Sequence, residues 1–110
     1  MDELINIKIK NEQQVVSARE LHKALRLVKK FSGWVKQNFK DFELNTDYTW
    51  EPQSYHVQIG NGAVRAEDDY ALTLGMAKEL CMMSHTELGK KYRRYLIELE
   101  RKWNDPQEVV

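Results

Sequence analysis

The chain has one cysteine, two prolines and no net charge in 110 residues. Each scarcity excludes something. A lone thiol, Cys81, cannot build a disulfide framework, so the sequence points to a reducing compartment and a fold held by its own core. No apolar run approaches the ~20 residues that a membrane-spanning helix needs, and no membrane partner is expected. The acidic start, Met1-Asp2-Glu3, lacks the basic region and apolar core of a signal peptide, so a cytoplasmic location is expected. Zero net charge argues against a strong non-specific grip on nucleic acid, which comes from neutralising phosphates with Lys and Arg.

Catalytic signatures are also missing. There is no G-x-S-x-G, no Walker-type Gly-Lys loop and no G-x-G-x-x-G. Gly60-Asn61-Gly62 is followed by a strand pattern rather than a helix start, which makes it a turn and not a phosphate cradle. His22, His56 and His85 fall in different elements, and none stands at metal-ligand spacing with Cys81 or another histidine. Cys81 lies in an apolar helix, where a thiol behaves as a small hydrophobe. Glu67-Asp68-Asp69 could in principle hold a cation, but adjacent residues of an extended segment point to opposite faces. No enzyme, metal or cofactor is expected.

What remains reads as one α+β domain over residues 1–104, with a tail or linker beginning at 105–110. A chain of this length buries roughly two-thirds of its unfolded surface, enough for one core. Ile5, Ile7 and Ile9 alternate with polar residues, so residues 4–10 read as a half-buried strand. Asn11-Glu12 turns it back into Gln14-Val15-Val16. Ser17-x-x-Glu20 is a capping box that opens a helix with Ala18, Leu21, His22 and Leu25 on one face. After a short connection, Phe31, Trp34, Val35, Phe39 and Phe42 recur at helical spacing, so the two helices outline a helix-turn-helix. Tyr48-Thr49-Trp50 is strand-like until Pro52, and residues 55–65 form a hairpin turned by Gly60-Asn61-Gly62. Thr73 caps a third helix over residues 74–84, apolar nearly all round and therefore expected in the middle of the fold. A long fourth helix carries the stripe Leu88, Tyr92, Tyr95, Leu96, Leu99 and Trp103 until Asn104-Asp105-Pro106 ends it.

Charge is unevenly spread. Residues 1–40 hold nine Lys/Arg against four Asp/Glu, and residues 41–70 hold one Arg against seven acids. Two faces of opposite sign can result. The three tryptophans and five tyrosines exceed what so small a core is expected to absorb, and surface aromatics anchor protein interfaces. The stripe Leu88, Tyr92, Tyr95, Leu99 and Trp103 either packs inside the domain or forms a homodimer interface.

Val15-Val16-Ser17-Ala18-Arg19-Glu20-Leu21-His22, Phe31-Ser32-Gly33-Trp34-Val35, Asn61-Gly62-Ala63-Val64, residues 69–80 and residues 89–98 together resemble the AntA/AntB antirepressor domain of phages and prophages. The Ser-Ala-Arg-Glu-Leu-His opening also resembles the BRO and KilA-N set, several of which are associated with DNA binding. The resemblance implies a protein that binds a phage repressor and switches on lytic genes. Independently, charge suggests that an acidic surface of Glu43, Asp47, Glu51, Glu67 and Asp68 competes for the basic DNA-binding face of such a repressor. The rival reading is direct operator binding, with Arg26, Lys29, Lys30, Lys36 and Lys40 on phosphates and the Gly60–Gly62 hairpin as a wing. A third reading is an oligomerisation module for a further C-terminal domain.

Overall fold

The computed structural model describes residues 5–104. Strands β1 (Ile7–Lys10) and β2 (Gln13–Ser17) form the first hairpin. Asn11 and Glu12 both take positive φ, +51° and +66°, the two-residue turn whose twist matches its strands. Helix α1 (Ala18–Leu25) follows without a break, and the Ser17 hydroxyl accepts the Glu20 N–H at 3.1 Å. The other half of the expected capping box is not made. Ser17 is itself the last residue of β2, paired with Ala71, and the Glu20 carboxylate accepts the Asn6 N–H instead.

Arg26 ends α1 in the left-handed region, its N–H donating to the Lys23 carbonyl. Helix α2 (Phe31–Asn38) is shorter than its aromatic stripe suggests, because residues Phe39–Asp41 tighten into a 3-10 turn. Strands β3 (Tyr48–Gln58) and β4 (Val64–Thr73) make the second hairpin, turned by Gly60, Asn61 and Gly62, all at positive φ. Helices α3 (Leu74–Met83) and α4 (Glu87–Asn104) complete the described chain. Thr73 caps α3 as expected, accepting the Met76 N–H.

The two hairpins form one antiparallel sheet in the order β1-β2-β4-β3. Its seam is the pairing of Val15, Val16 and Ser17 with Thr73, Leu72 and Ala71. Pro52 does not stop β3. That strand lies at the sheet edge, where a residue without an N–H costs no ladder bond, and the chain bulges between Glu51 and Tyr55. Within the bulge Gln53 takes φ +52°, and its N–H donates to Asp68 Oδ1 at 3.0 Å.

Helices cover one sheet face. Val16 and Leu72 from the sheet, Leu21 and Leu25 from α1, Met76 and Leu80 from α3, and Tyr92 and Leu96 from α4 are all buried together. This core absorbs more aromatics than the composition suggests. Trp34, Phe39 and Tyr92 are buried, Phe31, Phe42, Tyr48, Tyr70 and Tyr95 pack half-buried against it, and the exposed large rings are Trp50 and Trp103. α3 buries Leu74, Met76, Ala77, Leu80 and Cys81, but its last residues, Met82 and Met83, face solvent. The tail expected at 105–110 lies outside the described residues.

The α3–α4 elbow is tight. A Cβ at Gly89 would sit 2.2 Å from Ser84 Oγ and 2.3 Å from the Cys81 carbonyl oxygen, whereas one at Gly75 meets nothing within 4 Å. Overpacking against backbone typically costs about 1–3 kcal/mol, so Gly89→Ala should lower unfolding free energy by that much. Gly75→Ala should leave it unchanged or raise it by up to about 1 kcal/mol through helix propensity. Urea unfolding followed by circular dichroism separates the two.

Candidate functional site

The junction of β2, α1 and β4 is organised by a buried carboxylate. Asp69 is 6% exposed and is the only buried charged residue among those described. Its Oδ1 accepts the N–H groups of Arg19 and Tyr70 at 3.0 and 2.7 Å, and its Oδ2 accepts the Ser17 hydroxyl. An anion here also meets the positive end of α1. Arg19, one residue into the helix, reaches the other way. Its guanidinium lies 4.1 Å from the Phe31 ring centroid, pairs with Glu67 at 3.2 Å, and its Nε donates to the Asp68 carbonyl. One helix start therefore ties together β4, the β3–β4 hairpin and α2.

This wiring uses most of the acids expected to form a free surface. Glu67 is shared between Arg19 and Arg65, Asp68 holds the bulge through Gln53, and Glu51 pairs with Lys10. Asp47 accepts the Glu43 N–H and closes the loop before β3. Of the five, Glu43 and Asp68 are exposed and have no ionic partner among the described residues, the Asp68 carboxylate accepting a backbone N–H alone. Alternation does separate the acidic run, with Glu67 and Asp69 on one sheet face and Asp68 on the other. No three His, Cys, Asp or Glu among the described residues could hold a metal ion. On the sheet face away from the helices, a groove of about 250 Å³ runs between Lys10, Ser17, Glu51, Tyr55 and Asp69.

The basic candidates are differently placed. Arg26, Lys29, Lys30, Lys36 and Lys40 are all exposed, on the α1–α2 connection, α2 and the 3-10 turn. The two helices meet at His22, whose ring lies 5.6 and 5.2 Å from those of Phe31 and Trp34. His22 Nε2–H donates to the Lys29 carbonyl at 2.7 Å, which anchors the connection. In the expected wing, Arg65 is occupied by Glu67, while Ile59 and Val64 are exposed near the tip.

The α4 stripe divides. Tyr92 is buried in the chain's own core, and Leu88 and Tyr95 pack against it, so these three serve the fold. Leu99 and Trp103 remain beside Ile7 and Ile9, lining a shallow hollow of about 410 Å³. Cys81 is inert. Burial pushes its thiol up to about 12 against an ordinary 9.0, partly offset by the Arg93 cation. No helix among the described residues is long and apolar enough to cross a membrane.

Residues 16–86, more than half of the chain, match the family model of the AntA/AntB antirepressor. Neither a curated protein nor a solved structure matches the chain. The match begins on β2 and stops at the α3–α4 elbow, so β1 and α4 lie outside it.

Two outcomes follow from the geometry. Asp69→Ala strands three donors and should cost about 2–4 kcal/mol in urea unfolding, with Asp69→Asn losing less because an amide oxygen still accepts the two N–H groups. Cys81 should resist a disulfide-exchange reagent at pH 8 while folded and react fully in denaturant. Because its folded pKa is raised, its contribution is intact below pH 9 and fades as pH rises towards 12, as the unfolded chain ionises first. Stability should therefore fall more steeply over that window than it does in Cys81→Ala.

Proposed function

The chain belongs to the AntA/AntB antirepressor family, and from that premise we propose that it relieves repression by binding a phage repressor in the bacterial cytoplasm. The family match is the observation that carries this reading. A regulator of this kind needs no catalysis. An inhibitor that binds only the DNA-free form of a repressor lowers the concentration available to the operator, and the shift is limited by its differential affinity for the two forms. Competition by an acidic face draws little support from Glu51, Glu67 and Asp68, since their carboxylates are already engaged within the chain.

The test is fluorescence anisotropy of labelled operator DNA from the source phage. Added alone, the protein should leave the signal flat; added to a preformed repressor–operator complex, it should lower it in a concentration-dependent way. An unchanged signal from the complex would sink the proposal. So would a rise with operator alone that a scrambled duplex does not reproduce.

A further inference from the structure

Between Glu20 and Asp41 the sequence carries Lys23, Arg26, Lys29, Lys30, Lys36 and Lys40 and no acid at all. Lys29, Lys30, Lys36 and Lys40 have no ionic partner among the described residues, in contrast to Lys10, Arg19 and Arg65, which are matched to Glu51 and Glu67. α2 also begins without a side-chain cap, so the positive end of its backbone dipole adds to the same field. Glu51 and Glu67 are thus matched from within, whereas these four lysines are not.

That segment is not only charged. A groove of about 210 Å³ opens between the α1–α2 connection and the end of α3; Val28, Lys29, Trp34 and Met83 line it together with the polar Gln37, Asn38 and Ser84. Val28 is fully solvent-exposed at 103%, Met83 is 40% exposed and the adjoining Met82 53%. The His22–Lys29 hydrogen bond and the Arg26 helix end hold the connection in place, so the groove exists before any partner arrives. Exposed apolar side chains beside the unpaired Lys29, with Lys30 next in the chain, suit an anchor residue flanked by negative charge, and methionines adapt readily to an incoming side chain. Duplex DNA would satisfy the lysines but offers nothing for Val28, Met82 and Met83.

We propose that this groove docks an acidic segment of a partner protein, with one apolar side chain of that segment packed between Val28 and Met83. The inference rests on the repressor-binding reading only in naming the repressor as that partner. It then implies that the antirepressor grips an acidic stretch of the repressor rather than its basic DNA-binding face.

The probe is a short fluorescein-labelled peptide of Asp and Glu residues around one Phe, titrated with the full chain by anisotropy. A matched peptide with Ala for Phe and a mixed-sequence duplex serve as comparisons. The Phe peptide should bind at low salt and weaken by about tenfold or more in Lys29→Glu/Lys30→Glu, and similarly in Val28→Asp or with the Ala peptide. All three changes fall on exposed positions, and circular dichroism confirms folding. Equal binding of both peptides, indifference to the lysine reversal, or tighter binding of the duplex with the same dependence on the lysines would overturn the proposal. The operator assay keeps the two readings apart. If wild-type chain binds the Phe peptide but never displaces the repressor, the groove stands and the antirepressor reading falls. If Lys29→Glu/Lys30→Glu loses the peptide yet displaces the repressor as wild type does, assignment of the groove to the repressor is overturned while the function stands.

Discussion

Asp69 accepts from Ser17, Arg19 and Tyr70, and through those bonds the seam of the sheet and the start of α1 become one rigid unit. Everything else hangs on that junction. β2 must meet β4 there for the two hairpins to share a sheet, and α1 must leave there to cover the face carrying Val16 and Leu72. A buried carboxylate is stable only when its oxygens are fully bonded, so the geometry around it has little freedom. Arg19 extends the constraint outwards, because its cation lies on Phe31 while it bonds Glu67 and the Asp68 carbonyl. The placement of α2, and of the lysines it carries, follows from the same residue.

The distribution of free charge is a consequence of this wiring. Zero net charge conceals an asymmetry that counting residues misreads. The acidic third looks like the more exposed face, yet Asp68 closes a bulge, Glu67 and Glu51 pair with Arg19 and Lys10, and Asp47 turns a loop, while Asp41 and Glu43 stay exposed. The lysines around α2 lack such neighbours because no acid stands between Glu20 and Asp41, while Phe31, Trp34, Val35 and Phe39 turn to the core. A regulator that acts by contact presents what its own fold has left unsatisfied. In this chain that includes positive charge beside the exposed Val28, Met82 and Met83.

The family match ends at the elbow before α4, but the fold does not. Tyr92 and Leu96 of α4, with Ile5 before β1, are among the most deeply buried side chains and close a core whose other walls lie inside the matched span. Gly89 permits the close approach that brings α4 in, since any Cβ there would strike the backbone of α3. The matched residues and their flanks are therefore one packing unit.

Features set within a few residues were legible in the sequence. The Asn11-Glu12 and Gly60–Gly62 turns, the Ser17 and Thr73 caps and the four helices depend on contacts a few positions apart, and side-chain chemistry announces them. The α+β class and the family were legible for the same reason, through local pattern and motif. Pairing of Val16 with Leu72, the passage of β3 through Pro52, the bonds that bury Asp69 and occupy Glu51, Glu67 and Asp68, and the clash that reserves position 89 for glycine were not. Each joins residues from different elements, and a hydrogen bond or close contact is decided by position in space. The sequence by itself determined which elements form and where they begin; only the tertiary structure decided which charges are paired and which stay exposed.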